Sequence, residues 1–123
     1  MATILIIDDE LPVRSALGRI LLSEGHDVVE AANGAEAMSI VESEPVDVVF
    51  TDIFMPEMDG IEFVLWVMER FPDRPVIAMS GGGVTPVDSA LGDAHALGAA
   101  HIVEKPLDPE RIRAVLAEVL RQV

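Results

Sequence analysis

The sequence has no cysteine, a single tryptophan and a single lysine. Without cysteine, disulfides and thiolate-held metals are excluded. Aromatic residues are only 4% of the chain, which leaves a bound flavin few stacking partners. Basic residues are scarce as well: eight, against 22 acidic ones, for a formal net charge of −14. Direct nucleic-acid binding is therefore not expected, because it needs clustered Lys and Arg on the phosphate backbone. Cations and partners with basic surfaces are favoured instead. No apolar run approaches the ~20 residues of a membrane span. The start does not read as a secretory signal, since it lacks a basic segment and Asp8 and Asp9 interrupt its apolar run. The expected setting is cytoplasmic, with no membrane contact.

What is present is enough for one domain over residues 1–123. Half of the residues are hydrophobic. Short apolar runs alternate with helical patterns. Strands are expected at Thr3–Asp8, Asp27–Ala32, Val46–Thr51, Pro75–Ser80 and Ala100–Val103. The first helix, from Leu11, has Val13, Ala16, Leu17, Ile20 and Leu21 at helical spacing, with Pro12 near its start and Gly25 past its end. Asn33 is placed to cap a second helix whose inner face is Ala37, Met38 and Val41. Gly60–Phe71 reads as a third helix. A fourth is expected from a Thr85 cap and Pro86. The fifth starts from an Asp108 cap and Pro109 and buries Ile112, Val115, Leu116 and Val119. Near-continuous apolar strands alternating with helices imply an α/β, doubly wound parallel sheet of five βα units. Right-handed crossovers then bring all the C-terminal strand ends to one edge. Ligands of such sheets bind in the crevice at that edge.

Four of the five strands end in a polar or charged group. Strand one runs into Asp8 and Asp9, with Glu10 beyond. Strand three, in the stretch "VVFTDIFMPEMDG", stops on Asp52. Strand four ends in Ser80, before three glycines, and strand five is followed by Lys105 and Pro106. Each has a plainer reading alone: Asp8 and Asp9 as helix caps, Ser80 as a turn residue, Lys105 as a surface lysine. Their convergence on one edge argues otherwise. Three carboxylates in one crevice repel unless a cation sits among them. Hard oxygen ligands suit Mg²⁺, or Mn²⁺, which accepts one or two carboxylates and a phosphate. A carboxylate beside such a metal can attack phosphorus. The transferring phosphoryl oxygens then need partners, and Lys105 and the Ser80 hydroxyl can supply two of them.

The pieces "IIDDE", "VVFTDIFMPEMDG", "AMSGGG" and "IVEKPL" together resemble the response-regulator receiver domain of bacterial two-component systems, over the whole chain. The resemblance implies a flavodoxin-like (βα)5 fold with strand order 2-1-3-4-5. It implies Asp52 as phospho-acceptor, Asp9 as direct metal ligand with Asp8 beside it, and the Phe54 main-chain carbonyl as a further ligand. It makes Ser80 the switch hydroxyl and Lys105 the phosphate-binding lysine, and it implies a cis Lys105–Pro106 bond. Gly81 and Gly82 would form the mobile part of the switch loop. A sensor histidine kinase or phosphotransfer protein would supply the phosphoryl group, and an output protein would read the result. The chain ends at the fifth helix, so output through protein contact is expected, from a monomer or weak dimer. Such a domain is a signalling switch that catalyses only its own phosphorylation and dephosphorylation.

Two positions depart from the pattern. Ile102 stands where the family usually has an aromatic, and is expected to stay tucked inward. Phe54 stands two residues past the acceptor, where its ring could shield an acyl phosphate. Helix three carries Phe63, Val64, Leu65, Trp66 and Val67 in succession; one helix face cannot bury them all, and an exposed remainder would be a docking patch. His26, His95 and His101 have no metal-ligand spacing and read as structural or surface residues. The alternatives are a pseudo-receiver that no longer uses phosphate, or an aspartate-dependent phosphatase. The phosphatase pattern wants a second acid where Phe54 stands.

Overall fold

The computed structural model describes residues 2–52, 60–80 and 101–121, without the side chains of Ile61 and Ser80. The Phe54 carbonyl, Gly81, Gly82, His95 and the helix expected from Thr85 lie outside the described residues. Within them are five strands: β1 (Thr3–Ile7), β2 (Asp27–Ala31), β3 (Val48–Asp52), β4 (Val76–Ser80) and β5 (His101–Glu104). Three helices, α1 (Leu11–Ser23), α2 (Gly34–Ser43) and α3 (Gly60–Arg70), and a last helix, Pro109–Arg121, accompany them. The strands form one parallel sheet in the order β2-β1-β3-β4-β5, the flavodoxin-like order expected.

Strand side chains alternate between faces, and the two faces bury separate clusters. Ile4, Ile6, Val48, Phe50, Ile77, Met79 and Val103 pack against Leu17 and Leu21 of α1 and Ile112, Val115, Leu116 and Val119 of the last helix. Leu5, Ile7, Val49 and Val76 pack on the other face against Ala37 and Val41 of α2 and Phe63, Val64 and Val67 of α3. Both faces of β1 and β3 are thus covered, and that is why these strands read as unbroken apolar runs.

Local chemistry sets the helix ends. The Asn33 side chain accepts the Glu36 N–H at 2.9 Å, while Glu36 reaches back to the Ala32 N–H at 3.2 Å. Asp108 Oδ1 accepts the Glu110 N–H at 3.1 Å, and Pro109 is the first residue of the last helix. After α1 the chain turns through Gly25 at φ +86°, a left-handed conformation that favours glycine. His26 is structural, its Nδ1 accepting the Ala2 N–H at 3.1 Å.

All five strands differ slightly from expectation: β1 ends at Ile7 rather than Asp8, β2 ends at Ala31 rather than Ala32, and β4 begins at Val76 rather than Pro75. β3 begins at Val48 rather than Val46, because the Val46 N–H turns back to the Glu44 carbonyl and leaves the ladder. It also runs on through Asp52. β5 sits one residue later than expected, at His101–Glu104.

Helix three divides its apolar run as one buried face requires. Phe63, Val64 and Val67 are fully buried, and Leu65 is exposed. Trp66 is half-buried, stacked on Phe63 at 6.1 Å, with the Arg70 guanidinium 5.5 Å over its ring. The outward patch therefore shrinks to Leu65 and the rim of Trp66. The two faces make different predictions for chemical denaturation. Phe63→Ala is expected to cost about 3–5 kcal/mol, the range for emptying a buried aromatic site. Leu65→Ala is expected to stay within about 0.5 kcal/mol, as for a surface change.

Candidate functional site at the C-terminal strand edge

The register brings the polar strand ends together. Ile7 of β1 pairs with Thr51 of β3, and Asp52 pairs with Met79 of β4. Asp8 therefore leaves β1 level with Asp52. The backbone of Ser80 lies one rung further along and pairs with Glu104, the residue before Lys105. Four segments far apart in sequence thus reach one edge.

Asp8 is fully buried and Asp52 nearly so, whereas Asp9 and Glu10 are exposed. Two buried carboxylates side by side need a counter-charge, and Lys105 provides it. Its Nζ lies 2.7 Å from Asp8 Oδ2 and 3.4 Å from Asp52 Oδ2. The first is a short charge-assisted hydrogen bond; the second is longer and weaker. The Lys105 side chain is only 14% exposed, so it is not the surface lysine its sequence position alone would suggest. Burial pulls the ammonium's pKa down. Hydrogen bonding to Asp8 and the charges of Asp52 and Asp8 outweigh that pull, and Lys105 is held above its ordinary value. The Lys105–Pro106 bond is cis.

The helix-cap reading of Asp8 does not hold. The N-cap of α1 is Glu10, whose side chain makes no capping bond. Asp8 Oδ1 instead accepts the Glu10 N–H at 2.9 Å, inside the turn that precedes the helix. This turn gathers the carboxylates of Asp8, Asp9 and Glu10, with one oxygen from each within 4.8 Å of the others. Such a set of hard oxygen donors fits Mg²⁺ or Mn²⁺. Glu10 was not among the metal ligands expected from sequence, although its place directly after Asp8 and Asp9 was a visible signal.

Arg14 was also missed. Its Nη1 donates to the Asp8 carbonyl and its Nε to Glu30 Oε1 at 3.1 Å. The available signal was a cation in the first turn of a helix, where the macrodipole disfavours it unless a specific partner holds it.

Beside Lys105, the residues Pro12, Val13, Ala16, Pro106 and Leu107 line an open apolar hollow of about 290 Å³. Ile102 is partly buried and lines an open cleft with Glu104, Asp108 and Arg111. His101 points to the opposite face, with Nε2 3.9 Å from Glu118 Oε2 on the last helix. Among the described residues no helix is long and apolar enough to cross a membrane.

Comparison with known proteins agrees with this arrangement. Residues 4–117 match the family model of the response regulator receiver domain. A putative NtrX-like response regulator of Rickettsia bellii is 35% identical over 115 residues, covering 92% of this chain and 23% of that protein. The transcriptional regulatory protein GlrR of Escherichia coli K12 is 33% identical over 121 residues, covering 98% of this chain and 27% of its own length. The chain thus spans about a quarter of these relatives. Among solved structures, the chemotaxis protein CheY4 of Vibrio cholerae superposes with a TM-score of 0.87 at 29% identity, covering 97% of this chain and 98% of that one. The beryllofluoride-activated NtrC4 receiver domain gives 0.90 at 30% identity, covering 99% and 98%. With a family match over nearly its whole length, and its acids and single lysine gathered at one sheet edge, the chain belongs to the response regulator receiver domain family.

Proposed function

We propose that the protein accepts a phosphoryl group on Asp52 from a histidine kinase or phosphotransfer protein of a two-component system, and signals through protein contact. The observation that carries this reading is the Lys105 ammonium set between Asp8 and Asp52. In the reaction an Asp52 oxygen forms a bond to phosphorus as the donor's nitrogen–phosphorus bond breaks. Lys105 lies within reach of the arriving phosphoryl oxygens and balances their charge. Asp8, Asp9 and Asp52, with the Phe54 carbonyl, would hold a divalent cation. When bound, that cation neutralises phosphoryl oxygens and lowers the repulsion between donor and acceptor. Burial of Asp52 keeps bulk water from the acyl phosphate and lengthens its life. The hollow beside Lys105, bounded by α1 and the Pro106 turn, supports docking of a protein donor. Ser80 and the Gly81–Gly82 loop act as the switch, and the setting is cytoplasmic.

Incubation with acetyl phosphate and Mg²⁺, followed by intact mass, tests the acceptor. Wild type gains one phosphoryl group; Asp52→Asn and the EDTA-treated wild type gain none. Labelling of Asp52→Asn to the wild-type level would put the phosphate elsewhere, and an unlabelled wild type would favour a pseudo-receiver.

Lys105 makes a separate prediction for the metal-free protein. Lys105→Met leaves two neighbouring buried carboxylates without their cation, and is expected to cost about 2–4 kcal/mol at pH 7. The folded-state pKa of Lys105 is raised, so its contribution is complete below the unfolded value of ~10.4 and lost as pH climbs through the folded value. Urea melts should show a constant gap between wild type and Lys105→Met from pH 6 to about 9, narrowing above about 10.4. A gap that is absent at pH 7 would mean that the ammonium contributes nothing net.

A further inference from the structure

Arg14 stands at the unfavourable end of α1. The first turn of that helix holds no acidic residue, although Glu10 is its N-cap, and the dipole's positive end repels a cation. Yet the Arg14 side chain is mostly buried, 14% exposed. Its donors meet two acceptors from different parts of the chain. Nη1 takes the Asp8 carbonyl, and Nε takes Glu30 Oε1 on β2 at 3.1 Å. On the other side of Asp8, its own N–H donates to the Ala31 carbonyl at 3.2 Å. Glu30 and Ala31 are neighbours on the edge strand, so β2 grips Asp8 twice, once directly and once through the guanidinium.

The carbonyl matters because it belongs to the peptide unit that joins Asp8 to Asp9. That unit is planar. Fixing its oxygen fixes the plane, and with it the direction in which the Asp9 backbone leaves the strand. Asp9 is exposed and has no burial to hold it, so the peptide plane is the main constraint on where its carboxylate stands relative to that of Asp8. A guanidinium suits this task, since its flat fork engages two acceptors in a set geometry.

We infer that Arg14, oriented by Glu30, is a positioning residue for the cation site: it holds the Asp8–Asp9 peptide and so sets the spacing of the two carboxylates. The inference rests on the reading of that acidic turn as the divalent-cation site of a receiver. Arg14 does not touch the cation itself, and its own charge works slightly against cation binding. A neutral substitution would therefore mix lost positioning with gained attraction. Arg14→Lys keeps the charge and removes the fork, which isolates the geometric role.

The test is calorimetric titration of the full chain with Mg²⁺, alongside amide hydrogen exchange of the metal-free protein. Arg14→Lys is expected to raise the Mg²⁺ Kd by about 3–10-fold. Glu30→Gln, which keeps an acceptor for Nε, should change it less than about twofold. Without metal, the Glu10 amide, bonded to Asp8 Oδ1, should exchange several-fold faster in Arg14→Lys, while core amides such as those of Ile6 and Phe50 stay as in wild type. An unchanged Kd in Arg14→Lys, with wild type still binding Mg²⁺, overturns the positioning role alone. Equal acceleration of the Glu10 and core amides also overturns it, since Arg14 would then support the whole fold rather than the turn. Absence of saturable Mg²⁺ binding by wild type overturns the reading of the acidic turn, and this inference with it.

Discussion

The contact on which the site depends is the ammonium of Lys105 between Asp8 and Asp52. Carboxylates are seldom buried unless paired. Here two stand side by side at neighbouring strand ends, one fully buried and the other nearly so. The Lys105 ammonium supplies the counter-charge that lets both carboxylates share one buried edge.

The doubly wound sheet is what makes that contact possible. Lys105 and Asp8 are 97 positions apart in sequence, and Lys105 and Asp52 are 53 apart. Only the order β2-β1-β3-β4-β5 sets β1 and β3 side by side with β4 and β5 following. The two apolar clusters hold that order from both faces. β3 is buried along its whole length, so Asp52 is presented by an enclosed strand rather than by a loose loop. Rigid presentation is what an in-line displacement requires, because small errors of placement cost large factors in rate.

Much of this was legible in the sequence, for identifiable reasons. Buried parallel strands leave unbroken apolar runs, and polar residues at their ends stand out against them; Asp8, Asp52 and Lys105 were found that way. Caps such as Asn33 and Asp108 act within a few residues, so local pattern was enough. Two things escaped. The start of β3 depended on the Val46 N–H turning back to Glu44, a backbone choice with no side-chain signature. Arg14 escaped because its partners, a backbone carbonyl and a glutamate 16 positions away, are brought together only by the fold.

Formal charge links these features to the kind of ligand the crevice can take. Asp8, Asp9, Glu10 and Asp52 against Lys105 leave three net negative charges, of which one divalent cation would neutralise two. Arg14 does not alter that balance, because Glu30 offsets it at 3.1 Å. On a chain of net charge −14, a bare phosphoryl donor approaching this edge would meet a repelling field. A bound divalent cation would cut the net negative charge of the crevice from three to one before the donor arrives. Lys105 would then be free to lean from Asp8, its closer partner now, toward the oxygens on Asp52. On the proposed reading, the charges at the strand ends favour a cation bound before a phosphoryl group arrives.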